Sequence, residues 1–174
     1  MKAHLLMVPH ISDASFSFRQ FKQSNINSRW HYHTEIELIG IHNGVGTQFM
    51  GDNIERFQTG DIILAGSNVP HFWRYDDDHT PKEDTLYSTV IHFSGNLWGE
   101  RFLEMPENKL IRNLIEKSKR GLLLTGKTRN EVAYLMEKIR LSKGTYRLNS
   151  LTGMFGGNGC WKYAGNDFAL FVGI

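Results

Sequence analysis

The sequence predicts a mainly β domain, a barrel or sandwich of short strands, followed by two α-helices. Three observations carry this. Between Phe16 and Phe93 apolar and polar residues alternate in several short runs, the period of a strand with one face buried. Turn residues separate those runs at even spacing, at Asn43-Gly44-Val45-Gly46, Gly51-Asp52-Asn53 and Gln58-Thr59-Gly60-Asp61. Beyond residue 106 the apolar spacing changes to that of amphipathic helices.

The elements follow in order. Phe16 and Phe18 begin the alternation. From Trp30 to Ile41, Tyr32, Thr34, Ile36 and Leu38 hold one parity, and His31, His33, Glu35, Glu37, Ile39 and Ile41 the other. Thr47–Met50, Ile54–Phe57 and Ile62–Leu64 are short strands between tight turns. His71–Tyr75 resumes a strand, Asp76 to Asp84 is an acidic loop, and Leu86–Phe93 alternates again. Leu110, Ile111, Leu114 and Ile115 form a helical stripe that Gly121 ends. Leu122-Leu123-Leu124 suits either a strand or a helix. Thr128 with Glu131 has the spacing of a capping box, and Val132, Leu135, Met136 and Ile139 mark the second helix's apolar face.

Composition bounds the function. The 174 residues carry 20 Lys plus Arg and 18 Asp plus Glu, a net charge of +2, which excludes a polyionic tail protein. Hydrophobic residues at 40% suffice for a core without a structural metal or disulfide. No apolar run reaches membrane-span length and the first 18 residues lack a signal-peptide core, so no membrane contact is expected. The single Cys160 forms no internal disulfide and suits a cytoplasmic location. Charge and glycine content divide the chain into a β-barrel region at 1–106, a basic helical region at 107–143, and a Gly- and aromatic-rich segment at 144–174.

Chemistry concentrates between residues 31 and 71. A His-x-His pair on one strand projects both imidazoles to one face, and Glu37 continues that parity unless a bulge intervenes. With His71 from another strand, His31, His33 and Glu37 could enclose a divalent metal such as Zn, Ni, Cu, Fe or Mn. The same four side chains could instead be pocket or core polar residues held by hydrogen bonds without a metal, with Phe49 and Trp73 either at the barrel mouth or in the core. His92 is expected to be a satisfied strand histidine.

The spacing His31-x-His33-x3-Glu37-x6-Gly44, followed by Gly60-x10-His71, resembles the two cupin motifs. Asn25 stands where the first motif begins with Gly, and Gly66, Asn68 and Tyr75 stand where the second has Pro, Gly and Asn. The resemblance implies a cupin-type, double-stranded β-helix barrel whose four metal-ligand positions are filled. A longer pattern narrows it: Trp30-His31-Tyr32-His33, Glu35-Ile36-Glu37-Leu38, Gly60-Asp61-Ile62-Ile63-Leu64, Val69-Pro70-His71-Phe72-Trp73 and Ile91-His92-Phe93. Over residues 15 to 148 the chain is similar to the N-terminal sensor domain of AraC-type transcription regulators. That resemblance implies a small-molecule effector, such as a sugar, in the barrel, with no cofactor. It also implies a homodimer through Leu135, Met136 and Ile139. The alternative is a metal-dependent cupin enzyme of isomerase or dioxygenase type, with His31, His33, Glu37 and His71 as ligands.

AraC-type regulators carry two helix-turn-helix units after the sensor. Residues 148–174 hold few charges and no recognition-helix pattern, and could not supply the about six phosphate contacts of a typical DNA binder. The expectation is a truncated or frame-shifted member that reaches DNA only through a missing C-terminal domain. Phe155, Trp161, Phe168 and Phe171 are expected to be exposed in that tail.

Overall fold

A computed structural model describes residues 2–9, 14–22, 29–76, 85–155 and 168–170, the last three as backbone only. Its strands are β1 (His4–Leu5), β2 (Phe16–Phe21), β3 (His31–Tyr32), β4 (Ile36–Ile41), β5 (Gly46–Met50), β6 (Asn53–Phe57), β7 (Ile62–Ala65), β8 (His71–Tyr75) and β9 (Ser88–Phe93). Helices α1 (Glu100–Glu104) and α2 (Lys109–Ser118) follow, then β10 (Leu122–Leu124), α3 (Gly126–Leu141), α4 (Gly144–Phe155) and β11 (Phe168–Leu170).

Among the described residues the strands form two sheets. One has the order β1-β3-β8-β5-β6, the other β11-β10-β7-β4-β9-β2. All pairings are antiparallel except β1 with β3. The architecture is the expected mainly β, cupin-like one, and the two sheets face each other across a core. Ile39 and Ile41 of β4, Ile63 and Ala65 of β7 and Val90 of β9 meet Met50, Phe57, Trp73 and Tyr75 there.

Strand β4 is buried along its whole length because both of its faces are covered. Its odd-numbered residues enter the barrel, and Ile36 and Leu38 turn outward under the helices. That outer layer joins Ile62, Leu64, Ile91 and Phe93 to Ile111 and Leu114 of α2, Val132 and Ile139 of α3, and Leu151, Met154 and Phe155 of α4. A sheet covered on both faces needs apolar residues at both parities.

The structure revises several expectations. Trp30–Ile41 is not one strand, because the chain leaves the first sheet after Tyr32 and enters the second at Ile36. The link is fixed at its centre, where the Asn68 amide donates to the His33 carbonyl at 2.8 Å. Asn68 takes φ 61°, the left-handed conformation that Asn tolerates at the place where the cupin motif has Gly. Helix α3 begins at Gly126 after Thr125, so Thr128 lies inside the helix and is buried rather than capping it. Leu122–Leu124 is a strand, paired with β7 on one side and β11 on the other.

The largest revision concerns the segment from 144. Residues 144–155 form α4, and Leu151, Met154 and Phe155 are each no more than 1% exposed. Phe155 packs its ring 5.3 Å from Phe93 and 5.7 Å from Trp98, so it is core and not an exposed aromatic. The Trp98 indole donates to Thr152 Oγ1 at 2.9 Å, and the Arg147 guanidinium lies over the Phe16 and Phe18 rings. Trp161, Phe171 and Cys160 lie outside the described residues, as does the side chain of Phe168. No helix of the described residues is long and apolar enough to cross a membrane.

Candidate functional site

Strand register assembles the site. His31 on β3 pairs with His71 on β8. Glu37 on β4 pairs with His92 on β9, which pairs in turn with Ser17 on β2. The change of sheet between His33 and Ile36 folds these two rows toward each other. The four imidazoles gather with centroid separations of 4.5 Å (His31–His71), 5.0 Å (His33–His71) and 4.9 Å (His33–His92). All five side chains are buried, with His71 fully so.

Three of the histidines are oriented alike. Nδ1 of His31, His33 and His71 lies 2.7, 3.0 and 2.8 Å from the backbone carbonyls of Arg29, Glu35 and Val69. A carbonyl only accepts, so each Nδ1 carries the hydrogen and each Nε2 faces the centre. His92 differs. Its Nδ1 lies 3.3 Å from Ser17 Oγ, which can donate to it, and its Nε2 donates to Glu37 Oε2 at 2.9 Å.

Among the described residues, Glu37 is the only carboxylate of the cluster. His33 Nε2 lies 3.2 Å from Oε2, and His71 Nε2 lies 3.6 Å from it, beyond a hydrogen bond. Burial disfavours the charged carboxylate, but the attraction of His71 and the hydrogen bonds from the histidines outweigh it and hold the Glu37 carboxyl well below its ordinary value. Burial likewise opposes a charge on His33, and the Glu37 carboxylate overcomes it and raises the His33 pKa. With Nδ1 already donating, His33 bonds Glu37 only as an imidazolium. Burial, together with repulsion from His71, lowers the His31 pKa to about 4. His31 Nε2, His71 Nε2, Glu37 Oε1 and, on β5 opposite Trp73, Gln48 Oε1 are buried without a hydrogen-bond partner.

These residues fit the divalent metal that a cupin barrel implies. The donor atoms of His31, His33 and His71 lie within 4.8 Å of one another, as do those of His33, Glu37 and His92. Nitrogen donors fixed by carbonyls behind them, together with one carboxylate, match the preference of Zn, Ni, Cu or Fe once His33 gives up its Nε2 proton. Residues His31, His33, His71 and Glu37 would hold the ion.

The remaining expected site residues divide. Trp73 faces inward with His71 and is 4% exposed. Phe49 does not join the cluster. Gln48 and Met50 take the inward parity of β5, and Phe49 instead stacks on Phe72 at 4.2 Å on the outer face, under Arg74. His92, expected to be only a satisfied strand histidine, is hydrogen-bonded but belongs to the cluster. Only its pairing opposite Glu37 reveals this, and spacing in the sequence does not show that register. Met136 and Ile139 face the core and Leu135 is partly buried, so the three do not form a free seam.

Two clefts flank the barrel. One of about 130 Å3 touches the cluster through Ser17, Glu35 and His92. The other, about 160 Å3, lies between the second sheet and α3, at His42, Asp61, Thr89 and Met136.

The profile of the AraC-like ligand binding domain matches residues 16–122. The chain belongs to that family. As an AraC-like domain it is similar in fold to an apo variant of ToxT from Vibrio cholerae, with 12% identity and a TM-score of 0.52, over 83% of this chain and 54% of that one. A ToxT structure from the same organism, bound to (E)-4-(8-methylnaphthalen-1-yl)but-3-enoic acid, aligns with 12% identity and a TM-score of 0.44, over 81% of this chain and 54% of that one. The AraC-like chain thus spans about half the length of these solved structures. No curated protein matches it.

Proposed function

We propose that this domain senses a small ligand for a transcription regulator of the AraC type, with the barrel interior as the binding site, and that it is not an enzyme. The observation that supports this is the set of unpartnered polar atoms on His31, His71, Glu37 and Gln48 within a ligand-binding domain family. An unsatisfied buried polar group costs about 1–3 kcal/mol. Four such atoms in one interior are poised for a ligand that completes their bonds. DNA binding belongs to the whole regulator rather than to any segment described above. The reading includes a cytoplasmic homodimer. Because Met136 and Ile139 are committed to the core, the contact falls to Leu135 with the exposed Leu141 and Tyr146.

The test is a thermal melt against a broad metabolite and metal panel. A ligand at 100 times its Kd stabilises the fold by about 2.7 kcal/mol, a shift of several degrees. A panel without any shift counts against the sensor reading. Sedimentation at rising concentration tests the dimer, and a monomer throughout removes it.

A second reading, a metal-dependent cupin enzyme of isomerase or dioxygenase type, is favoured by one observation, the convergence of His31, His33 and His71 with Glu37 beside His33 and His71. Metal-dependent turnover of a substrate would establish it in place of the sensor.

A further inference from the structure

We propose that the cleft of about 160 Å3 between the second sheet and α3 is a ligand site separate from the barrel interior, and that it takes a small alkylammonium ion with Asp61 as its counter-ion.

The sheet prepares the floor. Phe18, Ile91, Leu38 and Leu64 lie opposite one another across β2, β9, β4 and β7, an apolar row beneath the helices. Two residues along each strand, the same outward parity reads Gln20, Thr89, Gly40 and Ile62. Three of these four offer α3 no large apolar side chain to pack on. Gly40 opens the space, because a Cβ there would stand 3.3 Å from Met136 Cε in the cleft. Glycine inside a strand weakens it and often marks the close approach of a ligand.

Charge then selects the ligand. Helix α3 carries Lys127, Arg129, Lys138 and Arg140, yet it turns Ala133, Met136 and Glu137 to the cleft. Among the described residues no Lys or Arg lines it. His42 brings no positive charge, because burial lowers its pKa, and its Nε2 lies 2.7 Å from Thr89 Oγ1. The Gln20 amide donates to the same hydroxyl at 3.4 Å. Glu137 accepts from Arg140 Nε at 2.8 Å, which leaves Asp61 to set the charge of the cleft. Asp61 Oδ2 accepts the Gln58 amide at 2.8 Å, and Oδ1 has no hydrogen-bond partner among the described residues. Burial raises the Asp61 pKa against the Gln58 amide and the attraction of Arg129, so the carboxylate is short of a cation in contact with it. An alkylammonium ion supplies three N–H donors and that charge, and its chain covers Ile62, Ala133 and Met136. A volume well below the about 300 Å3 of the smallest drug-sized pockets limits the chain to a short one.

The experiment titrates the isotope-labelled full chain with butylammonium chloride, n-butanol and sodium butyrate, probes of like size that differ in charge, and reads backbone amide shifts by NMR. Expected is saturable movement of the Gly40, His42, Asp61 and Ala133 amides with butylammonium, at a millimolar Kd, and binding about tenfold weaker or less for butanol and butyrate. Asp61→Asn keeps an acceptor for the Gln58 amide and should weaken butylammonium about tenfold. Gly40→Ala sets a methyl group in the floor and should weaken butylammonium as well, while the His31, His33 and His71 amides stay in place. It carries the test if Asp61→Asn does not fold. Equal affinity for the three probes overturns the charge selection, and wild-type affinity in Asp61→Asn overturns the counter-ion. No saturable shift at the cleft amides of the folded chain, or shifts confined to the barrel histidines, overturns the site.

Discussion

At the scale of single residues, the cluster makes acid stability the sensitive observable. Folded His31 binds its proton near pH 4 because burial and His71 oppose the charge, whereas the unfolded side chain binds one near 6.5. Unfolding therefore takes up a proton between those values, and stability falls as pH drops through that window, by about 3 kcal/mol in all. Glu37, whose carboxyl is held below its ordinary value, adds to the loss as pH falls further. His33 acts in the opposite direction, but its raised pKa places that change above 6.5, where its contribution is lost as pH rises. Denaturant unfolding of chelator-treated protein at pH 6.5 and pH 4.5 should show the decline, and His31→Asn should flatten it. An unchanged midpoint between those pH values would contradict the burial of a neutral His31. Four of these residues were legible in the sequence because their spacing is itself the motif. His92 was not, because only the register of β9 on β4 brings it opposite Glu37. Phe49 was misplaced for a related reason. Parity tells which residues share a face, but the face that turns inward is decided by the partner strands.

At the scale of elements, two glycines separate packing from propensity. Gly66 follows β7, and its amide donates to the Ser118 carbonyl at the end of α2 at 2.8 Å. A Cβ at Gly66 would stand 2.7 Å from Lys119 N and 2.8 Å from Ser118 O, backbone atoms that cannot swing aside. Gly66→Ala should therefore push α2 off the sheet and cost about 1–3 kcal/mol. Gly153 sits inside α4, where a Cβ would meet nothing within 4 Å. Gly153→Ala should stabilise the protein by about 0.5–1 kcal/mol, since Ala is the better helix former. Melting temperatures read both, and a Gly66→Ala variant as stable as the parent would contradict the docking of α2. Gly66 stands where the cupin motif has Pro. The sequence showed a turn there, but the helix that closes over it is distant in the chain and invisible to spacing. The strands between Thr47 and Tyr75 were legible nearly to the residue, because each lies between turn residues with period two inside. α1 and α4 were not, since α1 is five residues long and α4 mixes glycines, Thr and Asn with its apolar face.

For the whole molecule, the question is where the folded unit ends. Composition divides the chain near residue 144, and packing does not. α4 lays Leu151, Met154 and Phe155 against the outer face of the second sheet, in one cluster with Phe16, Ile36, Phe93 and the apolar faces of α2 and α3. The glycines and sparse charge of 144–155 thus conceal a helix whose apolar face is buried on the second sheet. Removing that helix would expose Phe16, Phe93 and Trp98 together, a patch of the kind that drives aggregation. A chain ending at Ser142 should lose its cooperative melt and aggregate, whereas one ending at Phe155 should retain the melt. Phe155→Ala in the full chain offers a graded version. It removes a ring that is 1% exposed and packed on Phe93 and Trp98, and large-to-small changes of that kind cost about 3–5 kcal/mol. A drop below about 1 kcal/mol in Phe155→Ala, or an unperturbed melt for the chain ending at Ser142, would mean that the sensor closes at α3 without α4. The expected loss would instead make α4 an integral layer of the domain, packed on Phe93 of β9 and on Trp98.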